Sequence, residues 1–241
     1  MNIALIGYGK MGRTIEKVAV SRGHHIQSIS DPTFNDNQEN ISINGADVAI
    51  EFTKPASAIM NYSACFKAGL PVVSGTTGWL HNWSQLKEMV ELHNAGFFYA
   101  SNFSLGVNIL HKVNEVLAKI MNHQPDYKVH IEEIHHTEKE DAPSGTAISL
   151  SHGIENMHNS YHSWILDNQG SINEIPIYAK RENKVPGTHT IHWKSDIDEI
   201  MIKHEAYSRA GFATGAVLAA EFMIGRRGIF SMDELLDMKQ R

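Results

Sequence analysis

The sequence predicts an α/β protein with two domains, the first built on a parallel sheet and the second an α+β domain built on a mixed sheet. Strand and helix patterns alternate over the first hundred residues, which is typical of crossover units in a parallel sheet. After Ser104 this rhythm ends. A long helical pattern then leads into segments in which apolar and polar residues alternate, as they do in half-buried strands.

The first domain is predicted to contain five strands joined by helices. The strands are expected at 2–6, 25–30, 47–52, 70–74 and 97–100. The helices are expected at 11–21, 56–68 and 83–94, the second of them stopped by Gly69. Because helices form three of the four connections between these strands, the strands should run parallel in one sheet.

The second domain begins with a predicted helix over 107–121. Its apolar stripe is expected to contain Leu110, Val113, Leu117 and Ile120. A strand at 127–134, a helix at 144–157 and strands at 175–180, 189–194 and 199–205 follow, whereas 158–173 is expected to be a loop or an insertion. A long helix at 210–225 should return to the first domain, followed by a short helix at 232–238. The domains are therefore predicted as 1–103 completed by 213–241, and 104–212.

Composition favours a soluble globular protein. The chain has 241 residues, 42% of them hydrophobic, and a formal net charge of −6, which argues against a nucleic-acid surface. The N-terminus reads as a strand, and no apolar run is long enough for a membrane span, so neither a signal peptide nor a membrane segment is expected. The single cysteine, Cys65, fits a reducing cytoplasm.

A glycine pattern follows the first strand and opens the first helix. The glycines of Gly7-Tyr8-Gly9-Lys10-Met11-Gly12 permit a tight turn and let backbone N–H groups approach a pyrophosphate. A glycine-rich turn without a ligand is the alternative, and the position between strand and helix favours a Rossmann-type dinucleotide site.

Other residues are expected to complete this cofactor site. Asp31 ends the second strand, 19 residues after Gly12, where an acidic residue binds the ribose hydroxyls. No Arg or Lys stands in 32–35, which favours NADH over NADPH, although Lys10 and Arg13 could bind a 2′-phosphate. The loops after the fourth and fifth strands should border the nicotinamide half; their residues are Gly75, Thr76, Thr77, Ala100, Ser101, Asn102 and Phe103.

The segment from Glu132 to Ala147 concentrates ionisable side chains. His135, His136 and Lys139 follow a predicted strand, and three interpretations compete: a metal site with Glu133 and Asp141, ordinary polar residues at a strand end, or a proton-donating site. A metal site is disfavoured because adjacent histidines point apart and Lys139 would repel a cation.

A predicted helix start lies just downstream. Pro143-Ser144-Gly145-Thr146 places a proline early and supplies hydroxyl groups for capping. Helix N-termini bind carboxylates through free N–H groups, so Ser144, Gly145 and Thr146 are expected to hold an anionic substrate close to Lys139.

Several segments together resemble the 4-hydroxy-tetrahydrodipicolinate reductase (dihydrodipicolinate reductase) family. The matching stretches are 7–12, 51–55, 75–78, 101–108, 135–147 and 204–216. The most specific is His-His-x-x-Lys-x-Asp-Ala-Pro-Ser-Gly-Thr-Ala, beginning at His135. The stretch 180–189 departs from the Arg-Gly-Gly-rich pattern of many relatives.

The resemblance implies an oxidoreductase of lysine and diaminopimelate biosynthesis. It implies hydride transfer from NADH or NADPH to a cyclic dicarboxylate with loss of water, giving tetrahydrodipicolinate. His135 would donate or accept a proton, Lys139 would donate one, and His136, Gly145 and Thr146 would contact the substrate. The second domain would also form a homotetramer through its sheet. Another two-domain dehydrogenase and a catalytically inactive nucleotide sensor remain the alternatives.

Overall fold

The structure, a computed structural model, describes residues 1–31 and 41–237. The chain divides into two compact units, unit 1 comprising Met1–Leu105 and Arg209–Arg241 and unit 2 comprising Gly106–Ser208. The predictions for 32–35 and for Met238 lie outside the described residues.

The elements alternate as expected through the first half of the chain. Numbered in chain order, the strands are β1 Asn2–Ile6, β2 His25–Ser30, β3 Val48–Glu51, β4 Val72–Ser74, β5 Gly96–Tyr99, β6 Lys128–His135, β7 Ser163–Leu166, β8 Glu174–Arg181, β9 Gly187–Lys194, β10 Glu199–Ala206 and β11 Gly228–Phe230. The α-helices are α1 Lys10–Ser21, α2 Pro55–Lys67, α3 Trp83–Leu92, α4 Leu105–Met121, α5 Gly145–Met157, α6 Ala210–Met223 and α7 Met232–Asp237, with a short 3-10 turn at Leu80–Asn82.

Unit 1 is built on a six-stranded parallel sheet in the order β11-β5-β4-β3-β1-β2. One face packs against α1, α6 and α7 and the other against α2 and α3. Burial on both faces explains why these strands are nearly continuous apolar runs. The strand order reverses between β1 and β3, and in such sheets ligands bind at the carboxyl ends beside the reversal.

Unit 2 is built on a five-stranded mixed sheet in the order β10-β9-β6-β8-β7. β6 pairs parallel with β8 and antiparallel with β9. Apolar side chains of α4 and α5 cover one face, where they pack against Val129 and Ile131 of β6 and Ile191 and Trp193 of β9. We call this the helix face and its opposite the open face. Since β-strand side chains alternate, Glu133 and His135 also belong to the helix face.

Two predictions of local structure are wrong. The segment 158–173 contains β7, which pairs parallel with β8 through Ser163–Leu166; its polar flanks hid a four-residue edge strand. On α4, Val113 and Ile120 are 45% and 56% exposed. The stripe that faces the core includes Asn114 instead, whose Nδ2 donates to the Leu150 carbonyl oxygen at 2.9 Å. Asn114 can occupy this buried position because a carbonyl oxygen of the neighbouring helix accepts its hydrogen bond, so the buried stripe does not follow the apolar residues alone.

None of the helices in 1–31 and 41–237 is long and apolar enough to cross a membrane.

Candidate active site

The glycine turn of unit 1 has the geometry of a phosphate-binding loop. Gly7 adopts φ +93°, and a Cβ there would lie 2.0 Å from the Phe52 carbonyl oxygen. A Cβ on Gly12 would lie 2.3 Å from the Gly7 carbonyl oxygen. Gly9 instead caps α1 without a side-chain hydrogen bond and has open space at its Cβ position. Gly7 and Gly12 therefore close the turn, and Gly9 leaves the start of α1 accessible to a pyrophosphate.

Asp31 lies beside this turn. Its Oδ2 accepts a hydrogen bond of 2.6 Å from the Tyr8 amide, which ties the end of β2 to the loop after β1. The Tyr8 hydroxyl bonds Glu16, and the Arg13 guanidinium lies 5.3 Å from the Tyr8 ring centroid. Lys10 is exposed at the first turn of α1, and Met11 is half-buried. The residues predicted at the adenosine end thus come together at one strand edge.

The loop after β4 is anchored by a buried carboxylate that the sequence analysis did not identify. Glu51 is fully buried at the end of β3. Its oxygens accept hydrogen bonds from Ser74 at 2.9 Å and Thr76 at 3.0 Å, and from Thr53. Burial raises the pKa of Glu51. The Thr53 amide donates to Thr76 Oγ1 at 2.8 Å, so this network joins the loops that follow β3 and β4.

The remaining residues predicted for the nicotinamide side differ in exposure. Thr77 and Ser101 are exposed, Gly75 is half-buried, and Ala100 and Phe103 are buried. Asn102 Oδ1 accepts the Ser104 amide at 2.9 Å. The Phe103 ring packs against Phe52 and Phe98 with centroid distances of 5.6 and 5.9 Å, so this side chain belongs to the core and does not face a ligand.

The site of unit 2 is organised around Glu133, which is fully buried on the helix face of β6. Its carboxylate accepts the Ser144 amide at 3.1 and 3.2 Å and the Arg181 guanidinium at 3.3 Å. His135 Nδ1 and His189 Nε2 lie 3.7 and 3.8 Å from Glu133 Oε2. Strand register explains this convergence, because Glu133 pairs with His189 on β9 and His135 pairs with Arg181 on β8.

The two imidazoles form a close pair. The rings of His135 and His189 have centroids 5.0 Å apart at an interplanar angle of 69°, and the Ser144 hydroxyl lies 3.1 Å from His189 Nε2. Burial lowers the pKa of His189 to about 3. The pKa of His135 is also lowered, first by burial and then by Lys139 and Arg181, while Glu133 opposes that effect. Both rings are therefore neutral near pH 7.

Lys139 is connected to the cluster around Glu133 through its contacts with Asp141 and Arg181. Its Nζ lies 2.7 and 2.8 Å from the two oxygens of Asp141, and this contact lowers the pKa of Asp141. Arg181 donates to the carbonyl oxygens of Lys139 at 3.3 Å and Asp141 at 2.6 Å, which fixes the loop between β6 and α5. His136 is half-buried, and its backbone carbonyl oxygen accepts a hydrogen bond of 3.1 Å from the Lys139 amide.

The start of α5 lies directly after this loop. Ser144 is its N-cap, and the Ser144 hydroxyl accepts the Ala147 amide at 3.2 Å. Helix geometry gives the first amides, those of Gly145 and Thr146, no acceptor within the helix. Gly145 is exposed, and a Cβ there would have no atom within 4 Å. An anion could therefore approach the backbone closely at this point.

Glu133, His135 and His189 also place one possible metal-ligand atom each within 4.8 Å of one another. The Glu133 carboxylate is already bonded by Ser144 and Arg181, and the charges of Lys139 and Arg181 disfavour a further cation. This environment supports proton handling better than metal binding.

Sequence reasoning missed Glu51, Arg181 and His189, and it considered Glu133 only as a possible metal ligand. One signal was present for the two carboxylates: Glu51 ends an apolar strand, and Glu133 follows Val129 and Ile131 on the alternating buried positions of β6. For Arg181 and His189, the strand pairings that bring them to Glu133 could not be read from the sequence.

Models of two protein domains match nearly the whole chain. Residues 1–103 match the N-terminus of dihydrodipicolinate reductase, and residues 106–236 match its C-terminus. The chain belongs to the dihydrodipicolinate reductase family. It is accordingly an NAD(P)H-dependent oxidoreductase, which confirms the family and the enzyme class predicted from the motifs.

Relatives in other organisms match from end to end. The chain is 49% identical to 4-hydroxy-tetrahydrodipicolinate reductase of Christiangramia forsetii over 98% of both chains. It is 32% identical to the enzyme of the same name from Staphylococcus haemolyticus, over 98% of this chain and all of the relative. The fold matches that of dipicolinate-bound dihydrodipicolinate reductase from Paenisporosarcina sp. TG-14, with a TM-score of 0.78 and 22% identity over 96% of this chain and 97% of the other. The predicted fold class is confirmed.

Proposed function

We propose that the chain reduces (hydroxy-)dihydrodipicolinate to tetrahydrodipicolinate with NAD(P)H, in lysine and diaminopimelate biosynthesis. The observation that carries this proposal is the cluster on unit 2, where a neutral imidazole pair, an ammonium group and an open helix start lie within one loop and its strands. Relatives named 4-hydroxy-tetrahydrodipicolinate reductase match 98% of the chain.

In this proposal unit 2 holds the diacid. One substrate carboxylate binds the amides of Gly145 and Thr146 at the start of α5, where the helix dipole favours an anion. Ser144 contributes by capping the helix, since its hydroxyl accepts the Ala147 amide and leaves the amides of Gly145 and Thr146 for the carboxylate. His136 donates a further hydrogen bond, and Lys139 supplies the positive charge that the second carboxylate requires.

Two groups handle protons. The Lys139 ammonium, held by Asp141 in the absence of substrate, donates the proton that the ring nitrogen or the leaving oxygen requires. His135 exchanges a proton at the ring, since its lowered pKa leaves it neutral near pH 7 and able to accept one. Glu133 stabilises the imidazolium that then forms. A reduced nicotinamide, when bound, supplies the hydride.

Unit 1 binds the cofactor in this proposal. The pyrophosphate lies at Gly7–Gly12 and the start of α1, and the adenosine ribose at Asp31. The loops 75–77 and 100–103 border the nicotinamide. The carboxylate of Asp31 beside the turn supports binding of NADH at least as tightly as NADPH, because it would repel a 2′-phosphate. Calorimetric titration with each cofactor tests this, and a strong NADPH preference would assign the 2′-phosphate to Lys10 or Arg13 instead.

Replacement of Lys139 by alanine tests the catalytic assignment. We expect turnover to fall by about 10²- to 10⁴-fold, the range typical of a lost general acid, while the dissociation constant for NADH stays within about twofold. Lys119→Ala, which removes an exposed lysine of α4, is the matched control and should retain normal turnover. Normal turnover of Lys139→Ala would refute the assigned role, whereas a wild-type protein that bound NADH without any turnover would favour the nucleotide-sensor alternative.

We also propose that unit 2 assembles the chain into a cytoplasmic homotetramer. The resemblance implies an interface through the sheet of this unit. A stripe of α4 supports a further contact surface, because Ile109, Val113, Val116 and Ile120 are 45–61% exposed and apolar patches of this kind mark contact surfaces. The buried free thiol of Cys65 is compatible with a reducing compartment. Sedimentation of the wild type and of Val116→Glu distinguishes a tetramer from smaller species.

A further inference from the structure

A second group of metal-ligating side chains lies on the open face of the unit 2 sheet. His130 and Glu132 project from β6 and His192 from β9, where His130 and His192 are directly paired. Each offers one ligand atom, and these atoms all lie within 4.8 Å of one another. The strand alternation that places Glu133 and His135 on the helix face places these three side chains on the opposite one.

His192 has the hydrogen bonding of a metal ligand held by an outer carboxylate. Its Nδ1 lies 2.9 Å from Glu199 Oε1 on β10, which fixes the proton on Nδ1 and leaves the Nε2 lone pair free. Nε2 is buried and has no hydrogen-bond partner among the described residues. Metal-ligating histidines are oriented in this way, with one ring nitrogen on a carboxylate and the other on the ion.

The two imidazoles are arranged as neutral rings. Those of His130 and His192 stack with centroids 4.3 Å apart and an interplanar angle of 6°, a contact that two imidazolium ions would oppose. Neutral imidazole is the form that binds a metal ion.

We propose that His130, Glu132 and His192 form a binding site for a divalent transition-metal ion of the zinc type, with Glu199 orienting His192. Zinc prefers nitrogen and carboxylate ligands at about 2.0–2.1 Å in a tetrahedral arrangement. The three ligand atoms lie within 4.8 Å of one another, so side-chain rotation would have to close the remaining distance, and water would complete the coordination. The ion would join β6 to β9 and would lie on the opposite side of the sheet from the reductase cluster.

Neighbouring charges permit this site. Glu132 lies 3.5 Å from the Lys180 ammonium, which is 54% exposed and forms a weak pair that an ion would displace. The positive charge of Lys194 acts against a cation at His130, whereas the negative charges of Glu132 and Glu199 favour one. Together the two carboxylates balance the charge of a divalent ion.

Metal titration of the full-length, chelator-stripped protein tests the proposal. Calorimetry with Zn²⁺ and absorption spectroscopy with Co²⁺ should give one saturable site per chain, with d–d bands typical of tetrahedral nitrogen and oxygen ligands. His192→Ala should abolish that site, and Glu199→Gln should weaken it by about 10- to 100-fold, the usual effect of losing an outer-shell partner. His123→Ala, which removes an exposed histidine, should bind as the wild type does.

Three outcomes would overturn it. The first is the absence of a saturable site in the wild-type protein. The second is normal binding by both His192→Ala and Glu199→Gln. The third is loss of binding in His189→Ala while His192→Ala still binds, which would assign the ion to the cluster around Glu133. Circular dichroism and NADH binding verify folding of each variant, and Glu199→Gln decides the question if His192→Ala does not fold.

Discussion

Acidification should destabilise this protein through His189. The side chain is 4% exposed, and burial lowers its pKa to about 3 in the folded protein, compared with about 6.5 in an unfolded chain. Between these values the unfolded state binds the proton and the folded state does not. The stabilisation is therefore complete above pH 6.5 and is lost progressively as the pH falls towards 3.

The size of the effect follows from the two pKa values. At pH 5 an unfolded histidine is almost fully protonated while folded His189 stays neutral, so the free energy of unfolding should fall by about 2 kcal/mol relative to pH 7 from this residue alone. His189→Gln removes the titrating group and keeps a nitrogen near the Ser144 hydroxyl. The variant should consequently lose about 2 kcal/mol less stability over the same pH interval.

Urea unfolding at pH 7 and pH 5, followed by circular dichroism at one fixed protein concentration, measures this difference. A fixed concentration is needed because assembly contributes to the apparent stability. His123→Gln, which removes an exposed imidazole, controls for the loss of a histidine as such. Equal acid sensitivity of the wild type and His189→Gln would show that His189 is not the neutral, buried group described above.

Substitutions in three further places, the glycine turn, Glu51 and the start of α5, test individual contacts. Gly12→Ala should destabilise the protein by about 1–3 kcal/mol, since its Cβ would lie 2.3 Å from a carbonyl oxygen. Gly9→Ala should keep normal stability and weaken NADH binding. Thermal melts measure the first effect, and cofactor titration measures the second. Glu51→Leu should cost about 3 kcal/mol in urea unfolding because it leaves several buried hydroxyl groups unpaired, with Glu51→Gln costing less. Gly145→Ala should raise the KM for the diacid with no change in melting temperature, and an unchanged KM would place the substrate elsewhere.

Much of the fold could be predicted because its signals are local. β1 and β2 have the predicted bounds. β1 is a short apolar run that ends at Gly7, and β2 is an alternating segment that ends before Asp31-Pro32. β7 was missed because a four-residue edge strand among polar residues has no detectable period. Asn114 shows a different limit, as its place in the buried stripe of α4 depends on a carbonyl oxygen of another helix.

The site was predictable only where residues adjacent in sequence act together. His135, Lys139 and the Ser144–Thr146 helix start fall within one segment, so the sequence alone could group them as one candidate site. His189 could not, because its meeting with Glu133 follows from the antiparallel register of β6 and β9. The identity of such partners depends on which strands are neighbours in the sheet, and the local pattern carries no information about that order.

The buried carboxylates of Glu51 and Glu133 determine the positions of the loops that follow their strands. Glu51 and Glu133 each occupy a fully buried strand position, which is costly for an ionisable group unless polar donors surround it. Glu51 binds donors from the loops after β3 and β4, and Glu133 binds the amide of Ser144 at the start of α5. Each carboxylate thus fixes the path of chain segments distant in sequence. The positions of the loops proposed to bind ligands are therefore set from inside the two sheets, which is why substitutions that touch no ligand should still alter binding.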